Sequence, residues 1–128
     1  MKIVVDAFGG DYAPQEIVAG AVKALQENQE LNVVLVGDKD KITEILQNLV
    51  FASDRLEIVH APDIVTMDDI PTVAIRTKKN SSIVVALDYV KNNEDAAALV
   101  SAGSTGATLT GAVLKLGRIP NVSRPALA

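Results

Sequence analysis

Four short apolar runs recur along the chain, three of them rich in β-branched residues, each stopped by glycine, proline or an acid. They are KIVVD (Lys2 to Asp6), NVVLVGD (Asn32 to Asp38), LEIVHAP (Leu56 to Pro62) and AALVSAG, which ends at Gly103. Runs this short and this uniformly apolar predict strands buried on both faces. The first is followed by PQEIVAGAVKALQEN, where Ile17, Val18, Ala21, Val22 and Leu25 share one helical face and Pro14 sits where a first turn tolerates it. The second is followed by DKITEILQNL, with Ile42, Ile45, Leu46 and Leu49 at helical spacing and Asp40 as the expected N-cap. Between Ile64 and Asn80 the pattern weakens around Asp68, Asp69 and Pro71, which predicts a loop with a short helix. SSIVVALDYVKNN then resumes a helix capped by Ser81 or Ser82, and a last helix is predicted from about Thr105 to Leu116, ending at Gly117. Strands alternating with helices imply βαβ crossovers, and hence an α/β fold: an open, mainly parallel sheet with helices on both faces.

Composition narrows the function classes. With 128 residues, 48% of them hydrophobic, the chain suits a single α/β region spanning residues 1–128. Its 12 Lys and Arg against 16 Asp and Glu leave a net charge of −4 with no basic block, which argues against a nucleic-acid surface. Aromatic residues are 3%, too few for base-stacking platforms. No cysteine is present, so disulfides, thiolate metal sites and a cysteine nucleophile are excluded, and the lone His60 cannot build a zinc site by itself. No metal or cofactor is expected. Asp6 interrupts the N-terminal apolar run before a signal-peptide core can form, which makes a cytoplasmic location the expectation and the glycosylation-like NSS and NVS sequences chance matches. Ala96 to Leu114 carries no charge and is almost long enough to span a bilayer. Its two serines, three threonines and three glycines make it too polar and too breakable for that. The end at RPALA, small and apolar with no terminal helix, sets the expectation of a truncated N-terminal part of a larger fold.

In an open α/β sheet, ligands bind beyond the carboxyl ends of the strands, where loops meet helix N-termini. The fourth such loop, SAGSTGA, is the strongest candidate: Gly103 and Gly106 permit close backbone approach, and the amides of Ser104 to Ala107 open a helix that favours an anion. The hydroxyls of Ser101, Ser104 and Thr105 add donors. It is not a P-loop, because Ala112 stands where the phosphate-binding lysine belongs, and no G-x-G-x-x-G fingerprint occurs. On the residues alone, packing of a helix against the sheet explains these glycines as well as anion binding does. In DAFGGD, Gly9 and Gly10 permit positive φ or close approach, with Asp6 read as a partner of loop amides and Asp11 as a helix cap, or both as groups that orient cations at the site. Arg76, Lys78 and Lys79 form either a solvated basic face or a phosphate-neutralising cluster, with Arg suited to a bidentate contact. His60 reads as a satisfied strand-end residue and a minor acid/base candidate, Asp68 and Asp69 as a solvated or capping pair, and Arg124 as a loop holder or an anion contact.

Taken together, VDAFGGDYAP from Val5, VGD from Val36, RTKKNSS from Arg76, VSAGSTGA from Val100 and LGRIPNVSRPAL from Leu116 resemble the N-terminal part of bacterial phosphate acyltransferase, the acyl-carrier-protein:phosphate enzyme of phospholipid synthesis. The resemblance runs in consistent order from Met1 to Ala128 and is specific as a set. Phe8 stands where the family typically has Met, Ser104 where Asn is usual and Asn121 where Gly is usual. It implies a fold akin to phosphotransacetylases and isopropylmalate dehydrogenases, a homodimer, and peripheral membrane contact through a half not contained in these residues. It also implies transfer of a long-chain acyl group from acyl carrier protein to inorganic phosphate. Phosphate would then sit on the Gly103 to Gly106 loop with Ser101, Ser104 and Thr105, aided by Arg76 or Lys79 and closed by Asp6, Gly9, Gly10 and Asp11. No catalytic residue is assigned. The alternatives are a non-catalytic α/β module binding a nucleotide or phosphate-bearing ligand, and an incomplete domain without activity.

Overall fold

A computed structural model describes residues 1–126, so the last two residues of the RPALA terminus lie outside the description. Strands β1 (Lys2–Asp6), β2 (Asn32–Gly37), β3 (Leu56–His60) and β4 (Ala96–Val100) form one parallel sheet in the order β3-β2-β1-β4. Registers are regular along β1 and β2 (Val4 opposite Val34), while the β1–β4 pairing shifts between Lys2 and Ile3. Helices α1 (Gln15–Glu27) and α2 (Lys39–Leu46) cover one face, burying Val18, Val22, Leu25, Ile42 and Leu46 with Val5, Val33 and Leu35. Helix α4 (Ser82–Asn92) covers the other, where Ala86 meets Val4, Val34 and Val36. The odd–even division of β1 and β2 between two cores is the period-2 alternation that a doubly covered strand imposes. Helices α3 (Pro71–Thr77) and α5 (Thr105–Gly111) complete the packing beside α4, and α5 runs into a π-helical turn over Ala112–Leu116. That turn closes with Gly117 N donating to Ala112 O at 3.0 Å, and Gly117 has φ +84°, so the helix stops where the glycine predicts.

Three capping expectations are corrected. Helix α2 is capped by Asp38, which accepts from the amides of Asp40 and Lys41 at 3.1 and 3.3 Å, not by Asp40. Because β2 ends at Gly37, the chain turns at once and the first acceptor in extended backbone is Asp38. Asp11 does not cap α1, whose N-cap is Pro14 with no side-chain bond. Ser81 takes the N-cap position of α4, but its Oγ makes no cap bond and is buried without a partner. Its backbone is held instead by a bridge to Asp63, whose carbonyl accepts from Ser82 N at 3.0 Å.

At the N-terminal end of the sheet, Lys2 Nζ lies 3.3 Å from each of Glu57, Asp95 and Tyr89 Oη. Hydrogen bonds to Tyr89, Glu57 and Asp95 hold the ammonium charged and push its pKa up. This knot joins β1 to β3, to Tyr89 of α4 and to the turn that precedes β4, at the end opposite the loops described next.

Candidate functional site

The strand order creates one crevice. Strands β1, β2 and β3 step outward in one direction, whereas β4 returns to the other side of β1, so β1 and β4 are neighbours at a topological switch point. The loops leaving their carboxyl ends, residues 7–14 and 101–104, face each other there.

A buried carboxylate joins them. Asp6, 3% exposed, accepts from Phe8 N at 3.2 Å through Oδ1 and from the Ser101 hydroxyl at 2.8 Å through Oδ2. Ser101 Oγ in turn accepts from Gly103 N at 3.2 Å. The charge-assisted bond from Ser101 and the amide of Phe8 offset the cost of burying the acid. The two loops touch through glycines: a Cβ on Gly9 would lie 2.6 Å from Asp6 Oδ2 and 2.9 Å from Gly103 N, and one on Gly103 would lie 3.0 Å from Gly9 Cα. Gly10 follows with φ +110°, a conformation that favours glycine.

Beside this joint lies an open cleft of about 400 Å³. It is bounded by Gly10, Asp11 and Ala13 on one side, Ala102, Gly103 and Ser104 on another, and the Ile64 to Met67 loop on the third. Ser104 is the N-cap of α5 and its Oγ accepts from Ala107 N at 3.3 Å. Thus the Ala107 amide, expected to face an anion, is already satisfied. The amides of Thr105 and Gly106 precede the first intrahelical bond, Thr108 N to Ser104 O at 3.0 Å, and belong to the open first turn. Thr105 is exposed, while Gly106 packs so closely on α3 that a Cβ would come 2.9 Å from Pro71 Cγ.

The structure brings Asp6, Gly9, Gly10, Asp11, Ser101, Gly103 and Ser104 together, and Thr105 and Gly106 follow directly as the first two residues of α5, outside the lining of the cleft. It does not bring Arg76 or Lys79 to the lining of the cleft; both are exposed, Arg76 in the last turn of α3. Lys78 is taken up elsewhere: its Nζ donates to Asp69 Oδ2 at 2.7 Å and to Ile64 O at 3.0 Å. Asp69 also accepts from Thr66 N at 2.7 Å, and Lys78 followed by that amide holds its carboxyl below the usual range. Lys78 and Asp69 therefore fix the wall loop of the cleft, a role that the spacing T-x-x-D signals only weakly. His60 Nδ1 accepts from Lys39 N at 3.1 Å, which satisfies it at its strand end.

Fold and crevice define an open, doubly wound α/β protein with a candidate site among the loops at the β1/β4 switch point. Residues 1–128 match the family described as "Fatty acid synthesis protein", and the chain belongs to that family. It is 52% identical over its full length to a phosphate acyltransferase of Pelotomaculum thermopropionicum, covering 36% of that protein. It is 46% identical over its full length to one of Clostridium novyi, covering 38%. A further match, over 99% of this chain, is 47% identical to a Clostridioides difficile phosphate acyltransferase and covers 37% of it. The chain thus spans less than two-fifths of the length of these relatives. The resemblance drawn from the motifs is borne out. Among solved structures, the EutD phosphotransacetylase from Staphylococcus aureus superposes with a TM-score of 0.63 over 97% of this chain and 40% of that one. At 21% identity this bears on the fold alone, and it agrees with the open parallel architecture expected from the sequence. Among the described residues no helix is long and apolar enough to cross a membrane.

Proposed function

We propose that this chain is part of an acyltransferase that moves a long-chain acyl group from acyl carrier protein to inorganic phosphate, giving an acyl phosphate for phospholipid synthesis. The observation that carries the reading is membership of a family whose similar relatives are named phosphate acyltransferases, matched along the whole chain. The cleft beside the Gly9–Gly103 joint supports it, since its lining reaches Ser104, where a helix begins.

In this reading a phosphate oxygen attacks the thioester carbonyl carbon, the C–S bond breaks, and the carrier leaves as a thiolate. A thiol with a pKa of about 8.5 needs little acid assistance, so the demands on the protein are positioning and oxyanion stabilisation. Phosphate rests on the first turn of α5, on the Thr105 and Gly106 amides with the Ser104 and Thr105 hydroxyls. Asp6 and Ser101 brace the loop. Gly9, Gly10 and Asp11 close the opposite side. The lining of the cleft contributes no lysine or arginine, so Arg76 and Lys79 act as a longer-range field that salt weakens. The same reading includes a homodimer in the cytoplasm with peripheral contact to the membrane.

The test uses full-length protein with palmitoyl-loaded carrier protein, following free thiol with a chromogenic disulfide and trapping acyl phosphate with hydroxylamine. Thiol release that requires phosphate and yields the hydroxamate is the expected result. Release without phosphate would identify a hydrolase, and no release under any condition would sink the proposal.

A further inference from the structure

Beside the Gly9–Gly103 joint lies a second, much smaller cavity of about 10 Å³, the room of one water molecule. It shares Gly103 and Ser104 with the open cleft and is also bordered by Asp6, Ser101, Ser82 and Ile83. Ser82 and Ile83, the first two residues of α4, are 2% and 3% exposed, so this border belongs to the interior. The Ser82 hydroxyl bonds to no protein group among the described residues, and a buried hydroxyl beside a cavity of this size finds its partner there. The first intrahelical bond of α4 runs from Val85 N to Ser81 O at 3.0 Å, which leaves the Ile83 amide in the open first turn. Asp6 has the complementary surplus. A carboxylate offers about four acceptor positions, and Asp6 uses one on Phe8 N and one on the Ser101 hydroxyl.

We infer that this cavity binds one ordered water molecule, which accepts from Ser82, donates to Asp6, and so joins α4 to the two site loops. The chemistry of the lining selects water over an ion. An anion would meet the Asp6 carboxylate, and phosphate, with five heavy atoms, exceeds the space. A cation would meet the amide and the positive dipole end of α4. Water alone presents lone pairs to Ser82 and the α4 turn and hydrogens to Asp6. Ser104 Oγ, which already accepts from Ala107 N, has a second lone pair for the remaining hydrogen. Through this water Ser82 steadies Asp6, and Asp6 steadies Ser101 and the Gly103 amide bonded to it. The loops are braced in this way whichever ligand the open cleft takes.

The experiment is a high-resolution crystal structure of the full-length protein, from crystals grown with and without rubidium chloride and read by anomalous scattering. The expected result is a single density peak about 2.5–3.0 Å from both Ser82 Oγ and an Asp6 carboxylate oxygen, without a rubidium signal. No peak at that position overturns the inference, and rubidium there replaces it with a cation site. In parallel, hydrogen exchange read by mass spectrometry compares the full-length parent with Ser82→Ala. Exchange in the segment 101–104 is expected to rise about fivefold while α1 is unchanged. Unaltered exchange at 101–104, or an equal acceleration in α1, defeats the bracing of the loops through Ser82. If Ser82→Ala fails to fold, the density of the parent still decides the water site.

Discussion

Adding a methyl group at Gly9 probes the joint that holds the two site loops together. The new Cβ would lie 2.6 Å from Asp6 Oδ2, 2.8 Å from Ser101 Oγ and 2.9 Å from Gly103 N. The first two atoms are hydrogen-bonded to each other at 2.8 Å and the third is backbone, so none can move aside alone. Relief requires the loops to part, at about 1–3 kcal/mol for overpacking. Breaking the bond to the Asp6 carboxylate adds about 1.5–3 kcal/mol. Gly9→Ala is therefore expected to lose about 2.5–6 kcal/mol, a large share of the roughly 5–15 kcal/mol that holds a typical domain folded. Gly20 supplies the control, because it lies on the exposed face of α1 and an added Cβ meets nothing within 4 Å. Gly20→Ala should gain about 1 kcal/mol through helix propensity. Urea unfolding followed by far-ultraviolet circular dichroism, with unchanged m-values, measures both. If Gly9→Ala stays within about 0.5 kcal/mol of the parent, the loops are not locked by contact at this glycine and the steric reasoning is wrong.

Ser101→Ala should cost about 1.5–3 kcal/mol, because Asp6 loses its hydroxyl donor while staying buried. A double-mutant cycle with Asp6→Asn should show a coupling of about 1 kcal/mol, and strict additivity would mean the two do not interact. Asp38→Ala should destabilise α2 by about 1 kcal/mol, with Asp40→Ala clearly milder; equal losses would contradict the cap seen here. For Asp69 the folded pKa lies below the unfolded value, so its contribution to stability is present above pH 3.8 and is lost as pH falls through the folded value. Carbon-13 NMR should find the Asp69 midpoint under 3.8 and see it rise in Lys78→Met, whereas a midpoint at or above 3.8 in the parent would refute the pairing.

The strands and the long helices were readable because their signal is local. Runs such as NVVLVGD declare a doubly covered strand within six residues, and the Val18–Val22–Leu25 spacing declares the buried face of α1. Strand order was not readable, since nothing in a strand's own residues says which neighbour it takes. The position of β4 beside β1 rests on contacts made 95 residues apart, such as Ser101 to Asp6. The role of Arg55 is illegible in the sequence for the same reason. Its guanidinium donates to the carbonyls of Leu25, Asn28 and Leu31 at 2.9 Å each, closing the end of α1 from a segment 24 to 30 residues away. Capping failed by short distances: Asp38 and Asp40 are equally good acceptors, and the end of β2 decides between them.

On the residues alone the glycines at the start of α5 pose a choice between packing and ligand binding, and the contacts show why these alternatives do not compete. Gly103 is required by Gly9, and Gly106 by Pro71, so each is accounted for by packing alone. Yet those two contacts fix where the helix begins. Had either residue carried a side chain, the first turn of α5 would stand away from the β1 loop or from α3, and Ser104 would be carried off the lining of the crevice at the switch point. Ser104 then divides the turn, satisfying Ala107 and leaving the two preceding amides as the open ones. Packing is thus the means by which an anion-binding position would be held in place. Explaining the glycines structurally removes no support from the proposed phosphate site, but it restricts that site to the donors that packing leaves free.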